Sequence, residues 1–160
     1  MRAAAVLVAV TKDGRLILTK RASHLAHHPG QIAFPGGKVD AGDASAEAAA
    51  LREAWEEIGL PQAGVAVLGR LSSHETVTGF QITPVLGVVR RAFVPVAEAG
   101  EVDEVFSVPL AHVLNPARYR IERRRWRGVW RRYYAVPYGP YYIWGATARI
   151  LRGLADRVQP

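Results

Sequence analysis

The sequence predicts an α/β protein, an α/β/α sandwich in which helices pack against a mixed sheet. Three observations carry that expectation. β-compatible runs come first, a helical stretch interrupts them after the third, and a second helical stretch closes the chain. With 160 residues and 49% hydrophobic content, the chain is long enough for one packed domain over residues 1–160 and too short for two.

The elements follow in order. Residues 3–10 and 15–21 are apolar, β-branched runs joined by Asp13-Gly14, a hairpin turn dipeptide. The first run is therefore read as a strand and not as a secretion signal. Gln31 to Phe34 predicts a short third strand, and Pro35-Gly36-Gly37 a tight turn that ends it. Residues 44–60 predict a helix with Ala48, Leu51, Ala54 and Ile58 as its apolar stripe and Gly59 as its stop. Val65 to Leu71 and Gln81 to Val89 read as strands, the second with an edge or bulge at Pro84. A loop over 90–100 leads to Glu101 to Pro109, where acids alternate with apolar residues before a short proline-started helix. Tyr119 to Val136 is again β-like, Pro137-Tyr138-Gly139-Pro140 turns the chain, and Tyr141 to Trp144 predicts a last strand. The closing helix carries Ala148, Ile150, Leu151, Leu154 and Val158 at helical spacing.

The chemistry concentrates in one stretch. Arg52-Glu53-Ala54-Trp55-Glu56-Glu57 places three carboxylates within five residues of one helix. At that spacing they repel one another by a few tenths of a kcal/mol per pair, roughly, so a compensating cation is the natural inference. Oxygen donors alone suit a hard divalent ion, Mg²⁺ or Mn²⁺. Gly36 and Gly37 ahead of the helix let backbone approach a metal or a phosphate closely, and the Gly37 carbonyl is a candidate ligand. His24, His27 and His28 lack a carboxylate at a matching spacing, which argues against a zinc site.

From Gly37 through Arg52-Glu53-Ala54-x-Glu56-Glu57-x-Gly59-Leu60 the stretch resembles the Nudix hydrolase box. Counted from Gly37, the spaced acid of the box falls on Asp43, with one residue more than usual before Arg52. A second resemblance covers residues 17–37, Ile17-Leu18-Thr19-Lys20-Arg21-Ala22 through Gly30-Gln31-Ile32-Ala33-Phe34-Pro35-Gly36-Gly37. It is similar to the segment ahead of the box in the coenzyme A pyrophosphatase branch, except that Ala26 stands where that branch commonly has arginine. Thr76 to Val85 resembles the same branch.

The resemblance implies a metal-dependent hydrolase that cleaves the diphosphate of coenzyme A and its acyl derivatives by direct attack of water. Glu53, Glu56 and Glu57 would be the metal ligands and catalytic carboxylates, with Glu53 the first candidate for the base. Arg21, Gln31 and Gly36 would contact substrate. Glu75, in the loop before Thr76, is a further candidate for a metal or water ligand, and Glu101 and Glu104 lie where Nudix enzymes often carry an acid that in some orients the attacking water. ADP-ribose or a nucleoside triphosphate is the rival substrate.

The net charge of +7 points to anionic partners. Its source is the arginine-rich segment from Arg118 to Arg132, interleaved with Trp126, Trp130, Tyr133 and Tyr134. Alone, that segment would suit a nucleic-acid module, but a pure binder has no need of Glu53, Glu56 and Glu57 so close together. Nucleic acid is therefore not the expected partner; a small molecule is, with a homodimer as the expected association. Absence of cysteine excludes disulfides and thiolate chemistry and fits a cytoplasmic setting. No stretch approaches the roughly 20 apolar residues that cross a bilayer.

Overall fold

The computed structural model describes residues 1–159. Its strands are β1 (Arg2–Thr11), β2 (Arg15–Arg21), β3 (Ile32–Ala33), β4 (Gly36–Lys38), β5 (Val65–Arg70), β6 (His74–Glu75), β7 (Phe80–Val89), β8 (Val102–Pro109), β9 (Arg120–Trp126) and β10 (Val129–Ala135). Its helices are α1 (Ala46–Ile58), α2 (Leu110–Val113) and α3 (Gly145–Arg157).

β1 and β2 form the expected hairpin but pair only near the turn, at Val10 and Leu16. Toward their other ends they part, and the next segment fills the gap: β3 pairs with β2 at Thr19 and Lys20, and β4 pairs with β1 at Ala4 to Val6. β7 lies parallel to β1 along its whole length, while β5 on β7 and β8 on β2 are antiparallel, so the sheet is mixed as expected.

Alternation along the strands sorts the core into two layers. Ala5, Leu7, Ala9, Ile17, Val85 and Val89 face α1, through Ala49, Ala50, Ala54 and Ile58. Val8, Leu16, Leu18 and Val108 face the other way, onto Ile143, Ala148, Ile150 and Leu151 of the α3 layer. This is the α/β/α arrangement.

α1 is delimited as its sequence dictates. The Ser45 hydroxyl caps it by accepting from Ala48 N–H at 3.1 Å. Gly59 ends it at φ 71°, its N–H bonded to the Trp55 carbonyl and that of Leu60 to Ala54. An L-residue held in that left-handed region costs about 1–2 kcal/mol. Gly59→Ala is therefore expected to lower Tm by roughly 2–8 °C, given about 2–4 °C per kcal/mol in a chain of this size. An unchanged melting curve would sink that reading of the cap.

Three expectations need correction. The buried stripe of α1 is Ala49, Ala50, Ala54, Glu57 and Ile58, while Ala48 and Leu51 are only partly covered. The helix is thus rotated so that one of its acids lies on the packed side. Gly36–Lys38 is not a free turn but a strand, because the missing Cβ of Gly36 lets β4 press against Ala5 and Val6 of β1. Tyr141 to Trp144 makes only isolated bridges, Tyr138 to Tyr141 and Ala135 to Trp144. Pro140 has no N–H for a ladder, and the chain enters α3 straight after Trp144.

Candidate metal centre

Glu53 and Glu57 lie one turn apart on α1, and Glu101 precedes β8. These three carboxylates converge, with one oxygen from each lying within 4.8 Å of the others. Two sets of bonds bring a remote acid to the helix. The loop before β8 is fastened to the end of α1 by Val96 N–H to Ile58 O (3.0 Å) and Glu98 N–H to Glu57 O (2.9 Å). Ala22 N–H, just past β2, then holds the Glu101 carbonyl at 2.9 Å.

Glycine strand β4 forms the floor. The Gly36 backbone N–H faces the Glu57 carboxylate and favours its charged form, though less than burial and the neighbouring acids oppose it. At Gly37 a Cβ would come within 2.8 Å of the Glu53 carboxyl carbon, so this glycine leaves the acid its place.

Glu56 does not join the trio. It is exposed on the next face of the helix and bonds Arg52 Nη1 through Oε2 at 3.2 Å. Arg52 is the organiser here. Its Nε and Nη2 make a bidentate pair with Asp43 (both 2.9 Å), Nη1 reaches Glu53 Oε1 at 3.0 Å, and Nη2 reaches Lys38 O at 3.2 Å. Asp43, the spaced acid counted from Gly37, is thereby occupied with Arg52 and stands outside the trio. Glu75 is exposed on β6, and Glu104 accepts from the Tyr141 hydroxyl, so neither enters it.

The electrostatics suit a cation. Burial, the neighbouring Glu53 and Glu101 charges and a hydrogen bond with Glu53 push the Glu57 carboxyl far above the usual carboxylate range. Burial also raises Glu53, against the pull of Arg52. Three oxygen donors, mutually repelling and short of positive charge, fit a hard divalent ion, as the sequence predicts.

Arg21 ends β2, next to the Ala22 that holds the Glu101 carbonyl. Its N–H bonds Gln31 O at 2.8 Å, its carbonyl accepts from Gly30 N–H at 3.1 Å, and its Nη2 donates to His27 O at 3.2 Å. Its Nε is buried with no partner among the described residues. Beside it, His28 sits at φ 52°. Partial burial, then Arg21 and His27, hold its imidazole below the usual pKa. It is therefore a neutral group near pH 7 and no substitute for the arginine that Ala26 lacks.

A NUDIX domain model matches residues 1–127, which covers everything from β1 through β9. The chain belongs to the Nudix family. Curated relatives agree: the uncharacterized Nudix hydrolase NudL of Enterobacter sp. (strain 638) is 46% identical over 159 residues, 98% of this chain and 83% of that one. Its namesake from Salmonella paratyphi B is 47% identical over the same span. Among solved structures, a Nudix hydrolase from M. smegmatis, RenU, superposes with a TM-score of 0.57 at 26% identity, covering 70% of this chain and 73% of that one. A C. elegans Ap4A hydrolase reaches 0.58 at 18% identity over 68% and 80%, a likeness of fold alone. The chain is therefore a Nudix hydrolase, a family that works on phosphoanhydrides with divalent metal.

Sequence reasoning missed the service of Asp43 to Arg52 and gave Glu101 no more weight than Glu104. Chain spacing holds no signal for Glu101, because its approach depends on where a loop crosses the helix end.

Proposed function

We propose that this Nudix hydrolase cleaves the diphosphate of coenzyme A and its acyl derivatives, giving 3′,5′-ADP and the 4′-phosphopantetheine. One observation carries the substrate: the segment resembling the coenzyme A pyrophosphatase signature, residues 17–37, meets the acid trio at Ala22, whose N–H holds the Glu101 carbonyl, and at Gly36 and Gly37, which lie against Glu57 and Glu53. It forms β2, the Arg21 corner, β3 and the glycine strand β4.

In this reading Glu53, Glu57 and Glu101 hold the Mg²⁺ or Mn²⁺. Such an ion, when bound, neutralises diphosphate oxygens and lowers the pKa of water. The remaining work belongs to the chain. Glu53, positioned by the bond of Arg52 to its Oε1, both touches the ion and accepts the proton of the attacking water as the new P–O bond forms and the anhydride bond breaks. The Arg21 guanidinium, a planar fork suited to bidentate contact, holds a phosphate oxygen. Gly36 and Gly37 admit the diphosphate close to the backbone, and Glu56 serves Arg52 from the outside.

The test is product analysis of purified protein with coenzyme A and Mg²⁺ or Mn²⁺. Release of 3′,5′-ADP, with Arg21→Lys raising KM, is expected. Turnover of dephospho-coenzyme A, ADP-ribose or nucleoside triphosphates at much higher kcat/KM would remove coenzyme A from the assignment while leaving the hydrolase intact.

A further inference from the structure

The site makes no use of the hairpin β9–β10. It forms a two-stranded sheet of its own, and residues 123–132 are exposed without interruption. Its tip is the pair Arg127 and Gly128, both at positive φ (49° and 78°), a tight turn that matches the strand twist.

The register sets what each face carries. Trp130 lies opposite Arg125 and Arg132 opposite Arg123, which gives one face. Arg124 opposite Arg131, and Trp126 opposite Val129, give the other. Arginines therefore surround the ribbon, and the apolar side chains collect at its end. Trp126, Val129 and Trp130 are 37%, 54% and 59% exposed, costly for a free surface.

Two anionic partners compete for such a feature. A single-stranded nucleic acid needs open aromatic faces along one charged groove. Here the indole faces are already engaged: the Arg123 and Arg125 guanidinium groups lie 5.5 and 5.9 Å from Trp130, and Arg127 lies 5.5 Å from Trp126. The charge also encircles the ribbon and lines no groove. An apolar end ringed by cations matches a bilayer surface, with tryptophan at the headgroup boundary and guanidinium groups at lipid phosphates. The net charge of +7 would draw the protein to that surface.

We propose that the β9–β10 hairpin docks this protein end-on onto anionic lipid bilayers, with Trp126, Val129 and Trp130 entering the interface and the arginines behind them holding lipid phosphate. The attachment is peripheral, and no helix of the described residues is long and apolar enough to span a membrane.

The test uses the full chain and two vesicle types, phosphatidylcholine alone and phosphatidylcholine mixed with phosphatidylglycerol. Co-sedimentation is expected to favour the anionic vesicles by at least about tenfold and to fall with added salt. Neutralising Arg123, Arg125 and Arg132 to Gln should weaken binding by roughly fivefold for each charge removed. Trp126→Ser with Trp130→Ser should weaken it at least about tenfold. Far-UV circular dichroism checks that the variants fold. An independent readout needs no hairpin substitution: brominated lipid should quench the tryptophan emission of protein whose exposed Trp55 is replaced by Phe. Equal binding to neutral vesicles, or no quenching, overturns the proposal. So does tighter binding of a single-stranded oligouridylate that the same arginine changes abolish, which would assign the hairpin to nucleic acid.

Discussion

Glu57→Gln is expected to abolish metal-dependent hydrolysis, lowering kcat by at least about 10²-fold, and at the same time to stabilise the metal-free protein above neutral pH. The two effects have one origin. Glu57 is buried beside Glu53 and Glu101, so its folded-state pKa stands far above the unfolded value. A carboxyl raised in this way binds more protons folded than unfolded. Its contribution is fully present below about pH 4.3, the ordinary glutamate value, and is lost as pH rises toward the folded value, pushed up to about 9. Glutamine removes that loss, because it keeps the shape but carries no charge. At pH 8 without metal, Tm of the variant should exceed wild type by at least about 3 °C, the shift that about 1 kcal/mol produces in a chain of this size. Added Mg²⁺ or Mn²⁺ should raise the wild type and leave the variant nearly unmoved. Calorimetry of metal binding at pH 7, repeated in buffers of different ionisation enthalpy, should show proton release by the wild type that the variant lacks. A variant that is inactive and also less stable at every pH would mean that Glu57 serves packing, and the cation cage would fall.

The parts of this site that could be read from the chain are those set by local periodicity. Glu53 and Glu57 at i and i+4 and Gly59 behind α1 are decided within a helical turn or two, and the structure has them where the spacing puts them, whereas the Ser45 cap starts the helix two residues later than the expected residue 44. The β1–β2 hairpin was legible for the same reason, through Asp13-Gly14. The unread features depend on contacts across the chain. Which face of α1 is buried is settled by the small residues Ala49 and Ala50, which let the helix sit close on β1 and carry Glu57 inward. A hydrophobicity pattern weights Leu51 above both alanines and turns the helix the wrong way. Glu101 is named by resemblance but cannot be told from Glu104 in the sequence, because it joins the site only where the preceding loop is fastened to the end of α1. The glycines misled in a more instructive way. A Gly-Gly pair after proline reads as a turn, yet here the need is for absent side chains in a strand.

That need differs at the two glycines, and adding one methyl group at each should separate fold from catalysis. At Gly36 a Cβ would strike the Ala5 carbonyl oxygen and lie 2.7 Å from Val6 Cα. Both belong to the backbone of β1, which is held by β7 along its other edge and cannot retreat. Gly36→Ala should therefore push β4 away from β1 and cost about 3 kcal/mol, the upper part of the usual range for overpacking. The corresponding fall in Tm is roughly 6–12 °C. At Gly37 the Cβ would instead meet the carboxylate of Glu53, at 2.8 to 3.0 Å. That is the far end of a flexible side chain, so it swings aside at little cost to the fold. It cannot do so without leaving Glu57 and Glu101 and straining its bond to Arg52. Gly37→Ala should keep Tm within about 2 °C of wild type, less than 1 kcal/mol, while kcat/KM falls by about 10²-fold, the penalty for displacing a reacting group by about 1 Å. Thermal melts and steady-state kinetics on the two variants decide it. Similar melting losses in both would mean that β4 is merely a tight strand, and full activity in Gly37→Ala would remove Glu53 from the reaction.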